Sequence, residues 1–499
     1  MSDFIKNVES WILEKVTKKQ FANSVIWKFT DIMFRKIVGF IIAMLLARLI
    51  EPEAYGIVAL TTVFIAFSDI FILNGFNVAL IQKKTISDKD YSTVFCMSFI
   101  FSVILYLGFF FSAPVVADFY NSAELKYVLR TITVVILFQS VTTVIRAKAT
   151  REMAFKKMAI SSSISSVLAG IIGIIFAYQG YGVWALVIQQ LLSSCVDMVF
   201  MIIFFSWKVS FRFSKRIACS ISKFSFGVIG TAFLDFCGNN MSSLVIGKSY
   251  STIDLGYYNR GNMLPETIGL NVYNAINGAL LPTLASHQSN SDELKQTTRK
   301  IMSLSVYIIF PLMFGLIGIS EILIPVILTD KWIPIIPLMD VFCLSYAINP
   351  IRAIGYNVFL AKGESRLCML IECLRCSLML LCLIVIVFLL KESVYLLLLT
   401  NFIISIVVVL ATQFLLQNFF GYALKELLED ILPSFIMSIM IMFLAKWISW
   451  TGVAEGIILL GIQIVAAIVL YTVGSIVTKN NNFMMIYQYY MMRISQKNS

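Results

Sequence analysis

Six basic residues lie within largely apolar segments of the chain, and four of them are candidates for binding an anion. Arg352 lies deepest in its segment, two residues after Pro350. The other three candidates are Lys28, Arg35 and Arg260. A charge in hydrocarbon costs several kcal/mol, so it should face a cavity or a partner. Because guanidinium and ammonium groups pair well with phosphates and carboxylates, these residues predict a cavity that binds an anion, such as a phosphate or an acidic sugar.

Local explanations for three of these cations stay open. Lys28 lies near the predicted cytoplasmic end of its helix and Arg260 within two turns of the outer end, so either could snorkel to the membrane surface. Arg35 is four residues from Asp31, and the two could pair within one helix. Pro350 lacks a backbone donor and is expected to break its helix, which is tolerated only where the backbone lines protein or water.

Acidic and amide side chains add a second kind of chemistry to the apolar segments. Asp31, Asp69 and Asp235 are predicted as sites where a proton or a sodium ion could couple to transport. Glu372 and Arg375 lie three residues apart on one predicted helix and are expected to pair with each other. The amides predicted to line the same cavity are Asn74, Asn77 and Asn274.

The sequence predicts neither a catalytic centre nor a metal site. Its single histidine, His287, lies in a polar loop, which argues against chemistry that needs a histidine base. The nine cysteines are scattered, most of them in apolar segments, and are interpreted as buried thiols. No stretch between the apolar blocks is long enough for a soluble catalytic domain. We therefore expect no enzyme, and no cofactor beyond a coupled sodium ion or proton.

Composition defines the elements that must hold these residues. Of 499 residues, 59% are hydrophobic and 13% charged, against about 25% charged in soluble domains. At roughly 20 apolar residues per span, the chain holds about fourteen membrane-spanning helices. The apolar runs are continuous rather than alternating, which excludes β-barrel strands. The prediction is an all-α integral membrane protein.

The predicted helices fall into two six-helix lobes and a C-terminal pair. Residues 23–206 and 223–416 form the lobes, and a basic linker at 207–222 joins them. The other segments are an amphipathic cytoplasmic segment at 1–22, two further spans within 417–478 and a cytoplasmic tail at 479–499.

The distribution of Lys and Arg predicts the orientation. With the N-terminus inside, the cytoplasmic segments carry about four times as many Lys and Arg as the outer segments. The net charge of +11 is therefore attributed to basic loops rather than to nucleic-acid binding. Both termini are predicted to be cytoplasmic, which requires an even number of spans.

An internal repeat relates the two lobes. Each copy covers the outer turn between two helices and most of the second helix, and both copies enter the membrane from the same side. This predicts a parallel repeat about an axis normal to the membrane, an arrangement found in alternating-access transporters. The matched pairs include Arg48 with Lys248, Gly56 with Gly256, Asn74 with Asn274 and Asn77 with Asn277.

Several runs resemble one known family. Ala47–Leu60 is similar to the first helical hairpin of the polysaccharide transporter family, which includes the Wzx-type flippases of the multidrug/oligosaccharidyl-lipid/polysaccharide (MOP) exporter superfamily. Arg151–Lys157, Gly180–Leu186 and Leu255–Arg260 match that family as well. The matching runs spread over most of the chain and resemble most closely the colanic-acid-exporter-like branch.

The resemblance implies a MATE-like V of two lobes around a central cavity. The first two predicted helices of each lobe would line this cavity, near Ser24–Ile50, Ala54–Ile81, Lys223–Gly247 and Leu255–Leu284. It implies that an oligosaccharide on undecaprenyl pyrophosphate, destined for exopolysaccharide, capsule or lipopolysaccharide O-antigen, is flipped across the bacterial inner (cytoplasmic) membrane. The lipid bilayer, a polysaccharide polymerase and glycosyltransferases are the expected partners, and nucleic acid is not. Two alternatives stay open: a cation-coupled drug exporter of the same superfamily, and a membrane glycan polymerase or ligase.

Overall fold

The chain is helical throughout the part that the structure describes. The computed structural model describes Trp27 and residues 34–77, 80, 86–206, 212–286, 291–390, 393–452, 454–485, 487–488 and 491. These residues form helices joined by short turns and contain no strand. The predicted all-α membrane fold class is confirmed.

The long helices are numbered along the chain. They are α1 (residues 34–49), α2 (Pro52–Asp69), α3 (Asp88–Phe119), α4 (Ala123–Arg151), α5 (Phe155–Tyr178), α6 (Val183–Phe205), α7 (Lys215–Ser249), α8 (Thr252–Ser286), α9 (Ser291–Ile327), α10 (Ile335–Ala361), α11 (Ser365–Leu383), α12 (Val394–Phe420), α13 (Leu424–Trp450) and α14 (Gly456–Val477).

Eleven helices are long and apolar enough to cross a membrane, counted over the described residues. The predicted spans outside this set correspond to α1, α7 and α8. The last two are 35 residues each, longer than the ~20 residues that a span requires. Both contain polar residues singled out in the sequence, Asp235 in α7 and Arg260 and Asn274 in α8. The residues before α1 are largely outside the described part. The total of about fourteen spans stays a prediction.

Helix ends follow local chemistry. At the start of α8, Ser251 and Asp254 cap each other: the Ser251 amide donates to Asp254 Oδ2 at 3.2 Å and the Asp254 amide to Ser251 Oγ at 3.0 Å. Gly363 after α10 and Gly421 after α12 have φ of 79° and 64°, a left-handed conformation that glycine adopts without strain.

Among the described residues, two helices continue as π-helices, and one predicted break is absent. After Asp69 the chain continues as a π-helix over Ile70–Asn77, and α11 continues as a π-helix over Ile384–Leu390. The prediction that Pro350 breaks its helix was wrong, because α10 runs from Ile335 to Ala361 with Pro350 buried inside it. A proline removes one backbone hydrogen bond, and the flanking turns of a buried helix retain theirs.

By its contacts the chain divides into two units, Met1–Gly256 and Tyr257–Ser499. The first unit includes α7, which packs on the earlier helices: Ser225 Oγ donates to the Gly75 carbonyl at 2.8 Å, and the Tyr120 hydroxyl to the Leu244 carbonyl at 3.4 Å. This division lies beyond the predicted linker at 207–222. The predicted lobe boundaries stay a prediction.

An ion pair joins α4, α5 and α6 in the first unit. Arg146 Nη2 donates to Asp197 Oδ2 at 2.7 Å, and Ser161 Oγ donates to Asp197 Oδ1 at 2.7 Å. The Asp197 side chain is 13% exposed, so its charge depends on these two donors for solvation.

Asp197→Asn is expected to lower the free energy of unfolding by about 1.5–3 kcal/mol, the contribution of a hydrogen bond to a charged group. A double-mutant cycle with Arg146→Gln should show coupling above ~0.5 kcal/mol in detergent unfolding curves. Asp118→Asn, at an exposed position, is the matched control. Additive effects of the two substitutions would show that the ion pair contributes nothing.

In the second unit, α13 and α14 pack against α9. A Cβ on Gly318 would lie 2.9 Å from Ala445 Cβ, so α9 and α13 approach closely. The Tyr471 hydroxyl of α14 donates to the Tyr307 carbonyl of α9 at 2.6 Å. The C-terminal pair, which the sequence placed outside the repeat, is therefore an integral part of the second unit.

Candidate functional site

Arg352 lies in an ion cluster between α10 and α11. Its Nη1 donates to Glu372 Oε1 at 2.7 Å and its Nη2 to Asn349 Oδ1 at 3.2 Å. Arg375 Nε donates to the other Glu372 oxygen, Oε2, at 2.7 Å. The predicted Glu372–Arg375 pair is confirmed. The sequence did not indicate that Arg352 shares the same carboxylate.

The cluster belongs to a polar stripe on α10. Ser345, Asn349, Arg352 and Tyr356 recur at helical spacing and are all half-buried, whereas Ile351 beside them is buried. Hydrocarbon cannot solvate polar side chains, so a half-exposed polar stripe in a membrane helix faces water or protein. The exposed apolar side chains of α11 are those of Met369, Leu370 and Leu374, which are suited to contact lipid.

Arg260 lies near the start of α8 and is the second predicted site cation with described contacts. Its Nη1 is 2.7 Å from Met263 Sδ, and its guanidinium lies 5.9 Å from the ring centroid of Trp332. Trp332 is fully buried in the turn between α9 and α10. Arg260 and Arg352 therefore have different surroundings within α8 and α10.

The other predicted site residues are described to different extents. Arg35 is half-buried in α1, and Asn274 is exposed on α8. Lys28 and Asp31 lie outside the described residues, so the pairing of Asp31 with Arg35 stays a prediction. The side chains of Asn74, Asn77 and Asp235 are also outside the described part.

Asp69 is the predicted coupling residue with a described side chain. It is half-buried as the last residue of α2, directly before the π-helix. Among the described residues its Oδ1 has no hydrogen-bond partner. Single π-turns inserted in α-helices are frequent at functional sites.

Sequence reasoning missed two further carboxylates in the second unit. Glu266 of α8 accepts a hydrogen bond from Asn262 Nδ2 at 3.0 Å. Asp340 of α10 has an Oδ1 that is buried without a hydrogen-bond partner in the described part of the chain. Their residue type could have identified both carboxylates in the sequence, because an acidic residue inside an apolar span is by default a functional candidate.

Helices α2 and α8 cross at a pair of glycines in the first unit. A Cβ on Gly56 would overlap the Thr252 carbonyl oxygen, and a Cβ on Gly256 would overlap the Pro52 carbonyl oxygen. The contact is symmetric, because the offset that pairs Gly56 with Gly256 also pairs Pro52 with Thr252. This symmetry agrees with the repeat found in the sequence.

A polar pocket of about 410 Å³ opens beside this crossing. Glu53, Asn121 and Glu124 line it, together with the α7–α8 turn. Lys248 also lines it, but its ammonium donates to the Phe119 carbonyl and lies 4.3 Å from the centroid of the Phe119 ring. The carboxylates of this pocket therefore have no ion-pair partner in the described part of the chain.

The fold is similar to that of two solved membrane proteins. The chain is similar to the lipid II flippase MurJ in its inward closed conformation, with a TM-score of 0.71, 18% identity, and coverage of 91% of this chain and 99% of the other. It is also similar to a multidrug resistance MATE family transporter of the MOP superfamily in an inward-facing conformation, with a TM-score of 0.54, 13% identity and coverage of 86% and 99%.

The chain belongs to the family described as polysaccharide biosynthesis protein, whose model matches residues 45–337. This confirms the family resemblance found in the sequence. The succinoglycan biosynthesis transport protein ExoT of Rhizobium meliloti (strain 1021) is 26% identical, over 62% of this chain and 63% of the relative. The lipopolysaccharide biosynthesis protein WzxC of Escherichia coli (strain K12) is 22% identical, over 64% of each. The chain spans 63% and 64% of the lengths of these two relatives.

Proposed function

We propose that the protein flips a lipid-linked oligosaccharide across the bacterial cytoplasmic membrane. The observation that carries this proposal is that a member of the polysaccharide biosynthesis family has, over 91% of its length, the fold of a lipid II flippase. Similar proteins are named for succinoglycan transport and lipopolysaccharide biosynthesis, which favours an exopolysaccharide, capsule or O-antigen repeat unit on undecaprenyl pyrophosphate.

The proposed mechanism is alternating access with a cationic lining. The pyrophosphate and sugars enter the cavity from the cytoplasm while the lipid tail stays in the bilayer, and the lobes then reopen outwards. A bare diphosphate in a dry bilayer would lose its hydration at prohibitive cost. The basic residues proposed to replace part of that hydration are Lys28, Arg35, Arg260 and Arg352.

Energy input is proposed to come from a sodium or proton gradient. The proposed coupling residues are Asp31, Asp69 and Asp235. Support from the described residues concerns Asp69, which has one oxygen buried without a partner in the described part of the chain. In the proposed orientation both termini are cytoplasmic. Glycosyltransferases would supply the substrate and a polysaccharide polymerase would consume it.

The alternatives fit the site less well. A drug and cation exporter would present carboxylates rather than guanidiniums, and the likeness to the MATE transporter has the lower TM-score, 0.54 against 0.71. A glycan polymerase or ligase would need an outer segment large enough for a reaction centre. The described turn between α3 and α4 is short, from Tyr120 to Ser122.

Removing the charge of Arg35 or Arg352 should test the proposal. Arg35→Gln and Arg352→Gln are each expected to lower translocation at least tenfold in proteoliposomes loaded with lipid-linked oligosaccharide from the host, because the diphosphate loses a desolvated counter-charge. Arg366→Gln, at an exposed position on α11, is the matched control and should keep the wild-type rate. Size-exclusion chromatography verifies folding. Wild-type translocation by both folded variants would remove the cationic site from the mechanism.

A further inference from the structure

The cluster of Arg352, Glu372 and Arg375 has an excess of positive charge. One carboxylate accepts a hydrogen bond from each guanidinium at 2.7 Å, so two cations share a single anion. The three side chains are 25%, 33% and 31% exposed, respectively, so none of them is fully enclosed by protein. A net charge of one remains.

The depth of the cluster makes this charge costly. Arg352 lies about 14 Å along the helix axis from Ala361, the last residue of α10, at ~1.5 Å per residue. At that distance from the end of a spanning helix, hydrocarbon does not solvate an uncompensated charge, so the charge is unfavourable without a partner. A purely structural pair would need one arginine and one glutamate, so the second arginine calls for another anion.

The geometry is that of an occupied oxyanion site. Two guanidiniums from neighbouring helices converge on the two oxygens of one carboxylate, and Asn349 Oδ1 holds the second arm of Arg352. Phosphate oxygens accept the same pair of donors, because the guanidinium fork matches phosphate as well as carboxylate. A diphosphate carries at least two negative charges and therefore balances two guanidiniums better than Glu372 does.

We propose that this cluster is a diphosphate-binding site in which the Glu372 carboxylate takes the place of the ligand when the site is empty. Arg352 and Arg375 bind the diphosphate, and Glu372 competes with it. The site deepens the proposed function and rests on it, since the expected ligand is the diphosphate of the lipid-linked substrate. Nucleoside diphosphates offer the same chemistry, so the experiment compares both sources.

The test measures binding of geranyl diphosphate and of UDP to the purified full chain in lipid nanodiscs by isothermal titration calorimetry. Arg352→Gln and Arg375→Gln are expected to weaken geranyl diphosphate binding at least tenfold. Glu372→Gln is expected to tighten it at least fivefold, because the competing charge is removed. Arg366→Gln is the control and should bind as the wild type does.

The sign of the Glu372 effect separates this site from a structural cluster. Glu372→Asp, whose shorter side chain cannot span both guanidiniums, should tighten binding to a lesser extent and serves if Glu372→Gln fails to fold. Unchanged or weaker binding by folded Glu372 variants overturns the proposal. Tighter binding of geranyl diphosphate than of UDP supports the lipid-linked source, whereas binding of UDP alone overturns that assignment.

This result is distinguishable from failure of the proposed function. Glu372-dependent diphosphate binding without translocation of lipid-linked oligosaccharide by the wild type would keep the site and remove the flippase. Translocation by the wild type with binding that is insensitive to all three residues would keep the flippase and remove the site.

Discussion

Alanine at Gly56 or at Gly256 is expected to lower translocation at least tenfold. Either Cβ would overlap a backbone carbonyl of the other helix, at Thr252 or Pro52, which cannot rotate away as a side chain can. Overpacking of this kind costs typically about 1–3 kcal/mol. In the proposed alternating-access cycle that cost falls on the conformation that contains this crossing, and ~1.4 kcal/mol shifts a population tenfold. The proteoliposome assay measures the effect.

Two matched glycines control for helix propensity. A Cβ on Gly108 or Gly461 would meet no other atom within 4 Å, so alanine there should leave translocation unchanged. The double variant at Gly56 and Gly256 should be no worse than either single variant, since one separation of the helices relieves both overlaps. Wild-type translocation rates in both single variants would show that α2 and α8 can separate enough to accept the added Cβ without a loss of free energy.

The sequence predicted these helices better than it predicted their irregularities. Two apolar runs of the sequence predict membrane spans at Phe155–Tyr178 and Ile335–Ala361, and α5 and α10 have these bounds. Apolar runs bounded by polar or glycine turns carry a strong signal. The π-helix after Asp69 and the uninterrupted passage of α10 through Pro350 carry no such signal. Both depend on how neighbouring helices satisfy the backbone.

The site shows the same division between local and long-range information. Glu372 and Arg375 were paired correctly from their spacing on one helix. The pairing of Arg352 with Glu372 joins two helices, and the contact of Arg260 with Trp332 joins α8 to a distant turn. The sequence alone identifies such residues by their type and their depth in a predicted span. It does not identify their partners, because these depend on how the helices pack.

Arg299→Leu is expected to cause the largest loss of stability, about 3 kcal/mol. Arg299 of α9 binds Asp430 through Nε and Nη2, the latter at 2.9 Å, and Glu426 through Nη1 at 3.2 Å. Breaking a buried ion pair costs ~3–5 kcal/mol, and the low end applies because the Arg299 side chain is 30% exposed. Unfolding curves in mixed micelles, followed by tryptophan fluorescence, measure the change.

The residues around Arg299 let experiments test whether the loss of stability depends on the shape of its guanidinium group. Tyr422 donates to Asp430 Oδ2 at 2.9 Å, and burial together with the Asp430 charge raises the pKa of Tyr422, so this donor stays protonated at alkaline pH. Arg299→Lys keeps the charge but cannot bind Asp430 and Glu426 together, and should lose about 1–2 kcal/mol. Lys300→Leu, at the adjacent exposed position, should change stability by less than ~0.5 kcal/mol. Equal losses at positions 299 and 300 would show that the guanidinium contributes nothing specific, which would leave apolar packing, such as that of Gly318 against Ala445, to hold α9 and α13 together.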